Sequence, residues 1–429
     1  MSQRHLLLLT YTYPPTPSIG GVRAAGLAKY LHRFGWHVTV VTPRGEPPRT
    51  SSGEIVETDP AEVAGRFKRW LGVNSQGAFK DAVASDASPA RHHLRSWIIE
   101  TVKAAVAIPD THRGWIRLAE QAASRCLDRR RFEVLLSTSP PVSAHVAAAR
   151  LRRRRGVPWV ADLRDLWSEN HNSQAPAWRR RIDRRIERRV LSAADALVTV
   201  SAPLAARLAS LQPGTPCHAI VSGFDPDIEG LGSGLDELFT ITHTGSFHQG
   251  RRDPSRFLDA VGDVLARGTV HRDRLRIRLF ARGEPWLQEL VSSRGLGDVV
   301  QLLPWSTRER ALAIQQESQV LLLIHPDGAQ ERPVYTGKVF EYLAARRPIL
   351  VVGGDPGVLT ELVAETRAGV HAPDRAETAR WLERFWTEYE ARGSVSWRGD
   401  EAAVARYSQL RMAEEFARLL DTVAGEESP

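Results

Sequence analysis

Short apolar runs of three to six residues recur along this chain with amphipathic segments between them, and that alternation restricts the fold more than any other feature. Leu6 to Leu9, Val38 to Val41, Val134 to Ser137, Trp159 to Ala161 and Ala196 to Val200 each read as a buried parallel strand, being apolar, short and bounded by turn residues. The segments 22–34, 142–154 and 179–192 between them carry helical periodicity. A second series follows, with strands expected at Phe239 to His243, Leu275 to Phe280, Val299 to Leu302, Val320 to Ile324 and Pro348 to Val352. Strands alternating with helices predict doubly wound α/β architecture, and 429 residues exceed what one hydrophobic core organises. We therefore expect an N-terminal domain over 1–222, a glycine-rich and acidic linker near 222–236, a C-terminal domain over 236–400 and a closing helix over 401–429.

Composition removes several classes. A hydrophobic share of 42% with 25% charged residues is that of an ordinary globular protein. The longest apolar runs fall far short of the roughly 20 residues that cross a bilayer. The leucines after His5 give way at once to Thr10-Tyr11-Thr12, too short for a secretory signal, and the expected location is the cytoplasm. Cys126 and Cys217 lack metal-ligand spacing, so neither zinc nor a disulfide frame is expected. The net charge of +8 raises polyanion binding as a reading. Arginines crowd into 129–131, 152–155 and the run 179–189, where Ile182, Ile186 and Val190 form a thin apolar seam. That run reads as a solvated basic face, as a contact for an anionic membrane, or as a reader of an anionic acceptor. No nucleic-acid motif accompanies it, so no nucleic-acid partner is expected.

The chemistry-bearing residues gather after strand ends. Lys338 and Glu341 share a helical face while Val339, Phe340, Leu343 and Ala344 supply the apolar stripe beneath them. Lys338 is one of only five lysines in an arginine-rich chain (Lys29, Lys68, Lys80 and Lys103 are the others), which points to a compact ammonium beside a ligand; an i, i+3 surface ion pair is the simpler reading. Gly20-Gly21, followed by Val22-Arg23, forms a turn at a helix start suited to phosphate. Thr244-Gly245-Ser246 leads into Arg251-Arg252, whose guanidinium groups suit diphosphate oxygens. Ser143 and His145 follow one strand, and Asp162, Arg164 and Asp165 follow the next, flanked by Trp159 and Trp167. Asp225 and Asp227 spell a D-x-D pair, disfavoured as a metal site by its place in the linker. The stretches 67–72 and 94–99 mix cations with aromatics and suggest a lipid-linked acceptor as readily as a core helix.

Taken in order, the opening YPPTPSIGGVRAAGLAKYL, STSPPVSAH (137–145), PWVADLRDLW (158–167), TGSFHQGRRDP (244–254) and TGKVFEYLAARRPIL (336–350) resemble the bacterial glycosyltransferase family 4 along nearly the whole chain. The resemblance implies a GT-B fold, two Rossmann-like domains facing each other across a cleft, with the last helix crossing back to the first domain. It implies a nucleotide-diphosphate sugar as donor, held by the C-terminal domain, and a hydroxylated acceptor on the N-terminal one. Carried onto this chain, Lys338 with Arg251 or Arg252 would stabilise the leaving diphosphate, with His145 or Asp165 assisting the acceptor. Gly20, Gly21, Gly245, Ser246, Thr336, Gly337 and Glu341 would line the donor site, and Arg23, Ser143, Asp162 and Arg164 the acceptor side. Implied too are retention of anomeric configuration and no cofactor or metal. The chain departs from the family in having Pro333 eight residues before Glu341, where many members place a glutamate, and Ser246 where many place an arginine. A nucleotide-sugar 2-epimerase, or a non-catalytic basic membrane- or polyanion-binding protein of the same architecture, are the competing readings.

Overall fold

A computed structural model describes residues 4–16, 19–45, 54–59, 107–173, 175–228, 232, 234–247, 249–281, 283–304 and 306–425. The segments 67–72 and 94–99 lie outside the described residues, as does Trp305.

The chain divides into two compact units, one formed by Met1–Ile220 with Ala413–Pro429, the other by Val221–Met412. The first is built on seven parallel strands, β1 (Arg4–Thr10), β2 (Trp36–Pro43), β3 (Glu54–Thr58), β4 (Val134–Ser139), β5 (Trp159–Leu163), β6 (Ala196–Thr199) and β7 (Cys217–Ala219), in the order β3-β2-β1-β4-β5-β6-β7. Leu6 pairs with Val38 on one side and Val134 on the other, so the leucine run sits in the middle of the sheet. Leu6, Leu7, Leu8 and Leu9 are fully buried. Helices cover both faces, which is why the run shows no polar alternation. Its described helices are α1 (Ile19–Tyr30), α2 (Trp115–Arg129), α3 (Ser143–Arg155), α4 (Ala177–Leu191) and α5 (Ala202–Leu211).

The second unit has six parallel strands, β8 (Phe239–His243), β9 (Leu275–Phe280), β10 (Val300–Leu303), β11 (Val320–Ile324), β12 (Ile349–Val352) and β13 (Gly369–Ala372), ordered β10-β9-β8-β11-β12-β13. Its helices are α6 (Ser255–Ala266), α7 (Pro285–Ser292), α8 (Arg308–Glu317), α9 (Gly337–Ala345), α10 (Val358–Glu365), α11 (Arg375–Arg392) and α12 (Glu401–Ala405). A last helix, α13 (Gln409–Val423), returns the chain to the first unit, where Asp421 accepts hydrogen bonds from Trp36 Nε1 at 2.8 Å and from Arg4. In each sheet the strand order reverses next to the first strand, between β1 and β4 and between β8 and β11. The carboxyl ends at such switch points are where open parallel sheets bind ligands.

Three details differ from the sequence expectation. The strands β3, β7 and β13 were not expected; all lie at sheet edges, where one neighbour is missing and short, partly polar sequences suffice. The segment 223–234 is no free linker at its start. Phe224 is buried, pairs with Ser408 as an isolated bridge, and accepts a hydrogen bond from Gln409 N at 2.7 Å. That same bridge splits the expected single helix over 401–424 into α12 and α13, so 401–412 belongs to the second unit.

Candidate functional site

Helix α9 turns Val339, Phe340, Tyr342 and Leu343 into a core shared with Leu321, Leu323 and Val351. Lys338 and Glu341 are thereby left on the opposite side, as the spacing predicts. They do not pair with each other. Glu341 meets Arg308 Nε at 3.4 Å, and among the described residues Lys338 forms no hydrogen bond or ion pair.

The Lys338 side chain crosses the turn that follows β8. A Cβ placed on Gly245 would overlap its Cε and Nζ, so glycine at 245 is what admits the lysine. The turn is clamped from three sides. Thr244 N donates to Tyr342 Oη at 3.0 Å, Gln315 Nε2 donates to Thr244 Oγ1 at 2.8 Å, and Tyr342 Oη donates to the Leu322 carbonyl at 3.2 Å. His243, buried beneath, donates from Nδ1 to the same carbonyl at 2.9 Å. Burial and the nearby charges of Lys338 and Arg252 hold the His243 pKa down to about 3, so the ring is neutral and its Nε2 carries the lone pair.

The two arginines after the turn have different employment. Arg251 Nε donates to Glu331 at 3.2 Å, and Glu331 is buried. The Arg252 side chain makes no hydrogen bond or ion pair among the described residues. Burial lowers its pKa, and the Arg251 charge adds to that while Glu331 pulls the other way. Lys338 is likewise lowered, to about 8, first by burial and then by Arg252, with Glu341 pulling the other way. Burial and like charge outweigh the pull of Glu341 on Lys338 and of Glu331 on Arg252, and an anion bound beside the two cations would offset that cost. Thr336 precedes α9 as its N-cap with no capping hydrogen bond from its side chain, and Gly337 opens the helix. Ser246 is partly exposed beside Gly245.

In the first unit the candidate residues form a closed network. Asp162 accepts from Arg23 Nε at 3.0 Å, Arg23 Nη2 at 3.0 Å and Thr138 Oγ1 at 2.8 Å. Arg23 also donates to the Ile220 carbonyl at 2.9 Å and lies 5.1 Å from the Phe416 ring centroid. Arg23 is 3% exposed and Asp162 0%; this pair joins α1, β5 and α13, and neither side chain is open to an acceptor. Arg164 donates to the carbonyls of Ser139 at 2.7 Å and Pro140 at 3.1 Å. A Cβ on Gly20 would come within 2.6 Å of its Nη1, and one on Gly21 within 3.2 Å of Tyr13 Cα. The Gly20-Gly21 pair therefore admits the packing of α1 against neighbouring loops.

Ser143, at the first position of α3, gives both its N–H and its hydroxyl to Asp110 at 2.7 Å, which occupies that helix end with a carboxylate. His145 bonds Ser137 Oγ through Nδ1 at 2.8 Å and is fully buried. Burial is the main cause holding its pKa near 4, which keeps it uncharged near neutrality. Asp165 is partly exposed, 3.9 Å from His171 Nδ1. Asp225 accepts from the Asp227 N–H at 3.0 Å, and among the described residues no group of three or more His, Cys, Asp or Glu side chains could hold a metal ion.

Sequence reasoning missed Asp110, Gln315, Glu331 and Tyr342. Each acts through a partner remote in the chain, and only the helical phase of Tyr342, next to Glu341, hinted at burial.

Comparison with known proteins accords with this geometry. Residues 20–221 match the family model described as a glycosyl transferase 4-like domain. No curated protein sequence matches the chain. Among solved structures, sucrose-phosphate synthase from Thermosynechococcus elongatus is similar with a TM-score of 0.61 at 14% identity, covering 98% of this chain and 99% of that one. HepE of Anabaena, in complex with UDP and glucose, gives 0.58 at 13% identity over 98% and 100%. The trehalose 6-phosphate synthase of Burkholderia multivorans gives 0.58 at 13% over 99% of each chain. Both sheets thus belong to a GT-B architecture.

Proposed function

We propose that this chain, whose residues 20–221 match a glycosyl transferase 4-like domain and whose two sheets have GT-B architecture, moves a sugar from a nucleotide-diphosphate donor to a hydroxyl acceptor with retention of configuration. The observation that carries this reading is the pair Lys338, which crosses the Gly245 turn at the carboxyl end of β8, and Arg252, two largely buried cations whose side chains form no ion pair among the described residues. The presence of UDP in the similar HepE structure supports a nucleotide-sugar donor.

The barrier in such a transfer is cleavage of the bond between the anomeric carbon and the diphosphate oxygen. Negative charge grows on that oxygen as the bond breaks. Lys338 and Arg252, fixed before the donor arrives, stabilise it without reorganisation. Arg251 is committed to Glu331, which leaves Arg252 as the guanidinium for the diphosphate. Glu341, partly exposed on the same helix face, is the candidate for the ribose hydroxyls. His145, uncharged and enclosed, is unsuited to taking the acceptor proton; the departing phosphate oxygen takes it instead, and no metal is required.

The reading is tested by a thermal-shift panel of UDP-, GDP-, dTDP- and ADP-sugars followed by turnover in excess EDTA. Stabilisation by one nucleotide class and undiminished turnover are expected. No stabilisation by any member would remove the donor assignment, and a metal requirement would remove metal-independent transfer.

A further inference from the structure

Helix α4 presents arginine to solvent along a continuous face. Arg180, Arg181, Arg184, Arg185, Arg188 and Arg189 are all exposed, at spacings of one and three that put two guanidinium groups on each of three successive turns. They span about 14 Å of helix at about 1.5 Å per residue. Only Arg184 has an acidic partner, Glu169; the other five have none among the described residues.

The inward face explains how so basic a helix stays docked. Arg179 Nε donates to Asp183 at 2.8 Å, its Nη2 to the carbonyls of Ala107 at 2.9 Å and Pro109 at 2.8 Å, and Glu187 accepts from Ser168 N at 3.3 Å. Val190 and Leu191 close that side in the core. Both acidic residues of the helix, Asp183 and Glu187, are thus turned inward, and of the six outward arginines only Arg184 meets an acid among the described residues. The neighbouring helix α3 extends the surface at its C-terminal end through exposed Arg153, which donates to the Arg189 carbonyl at 2.8 Å, whereas exposed Arg154 and Arg155 beside it are paired with Glu120 and Asp128.

We propose that this two-helix arginine face is a docking surface for an anionic phospholipid bilayer. Guanidinium groups bond phosphate oxygens in pairs, and a row of them on a docked helix offers a near-planar cationic strip to a sheet of headgroups. Trp178 and Ile182 lie half-buried along one margin of the strip, where apolar side chains enter the headgroup boundary. Nucleic acid fits less well, because the outward positions of α4 carry no amide or hydroxyl side chain to read a base edge, and its one aromatic ring, Trp178, is half-buried.

The test is co-sedimentation of the full chain with extruded vesicles of phosphatidylcholine alone or with about one third phosphatidylglycerol, at 0.1 M and 0.5 M salt, with a competing random-sequence DNA duplex as a further arm. The variant R181E/R185E/R188E removes three outward arginines that have no acidic partner. R267E/R384E/R392E makes the same change in net charge in the second unit. Wild type and the second variant are expected to sediment only with phosphatidylglycerol vesicles and to be released at 0.5 M salt. The first variant, with a melting temperature near that of wild type, is expected to lose about a hundredfold in partitioning, at roughly fivefold per arginine. Failure of wild type to bind the anionic vesicles, equal binding by R181E/R185E/R188E, or an equal loss in the second variant would each overturn the proposal. Preferential capture by the duplex would assign the face to nucleic acid instead.

Discussion

The two units carry charge near the carboxyl ends of their strands in opposite ways. In the first, Arg23 and Asp162 are buried, bonded to each other and bonded again to Thr138 and the Ile220 carbonyl. In the second, the side chains of Lys338 and Arg252 form no ion pair among the described residues, Arg252 lowers the pKa of Lys338, and both lower that of His243. A charge whose bonding capacity is filled within the protein holds elements together; a charge left unfilled at a switch point waits for something from outside. The comparison therefore sorts residues that look alike in sequence, arginine and lysine after a strand, into structural and ligand-facing groups.

The contrast breaks most visibly under substitution. Asp162→Ala leaves a buried guanidinium uncompensated and is expected to cost about 3–5 kcal/mol of stability, read as a lower denaturant midpoint. A midpoint within experimental error of wild type would show that Arg23 finds another partner and that the network is not closed. Lys338→Ala should do the reverse, leaving the midpoint unchanged and lowering kcat/KM at least a hundredfold, about 3 kcal/mol in the barrier. Near wild-type turnover by the folded variant would remove the lysine from the mechanism. Gly245→Ala pushes a methyl group into the path of the Lys338 side chain; a tenfold loss of kcat/KM, about 1.4 kcal/mol, is the expected consequence, and unaltered kinetics would mean the lysine has another route to its position.

The smallest effect is in the pH profile. A lysine held near 8 is cationic below that value and loses its charge above it, so kcat/KM, which reports the free protein, should decline as pH rises through about 8. His145, held near 4 by burial, is neutral from there upward and should add no limb between pH 5 and 8. A fall in kcat/KM below pH 6.5 that disappears in His145→Gln would reinstate the histidine as a titrating participant.

Much of this was legible in the chain. The central strands β1, β4, β5, β8, β11 and β12 announce themselves because both faces are covered and nearly every residue is apolar. The edge strands do not: Glu54–Thr58, Cys217–Ala219 and Gly369–Ala372 keep partly exposed positions and resemble loops in composition. Within the site, the spacing of Lys338 and Glu341 disclosed the side of α9 turned away from its core. What could not be read was who holds whom. Arg251 and Arg252 are equivalent in sequence until Glu331, 80 residues onward, takes one of them. Likewise Arg23, Asp162 and Arg164 looked like an acceptor cluster, and only their burial and mutual bonding show that Arg23 and Asp162 are occupied by each other.

The most direct test of the unfilled pair is calorimetric. Titrating the best-binding nucleotide sugar at pH 8 in two buffers of different ionisation enthalpy measures the protons that binding takes up. If the diphosphate seats against a lysine with a pKa of about 8, wild type should take up about half a proton per ligand bound, because the anion raises that pKa, and Lys338→Ala should take up none. Binding with no proton uptake in wild type, or with equal uptake in the variant, would contradict the account.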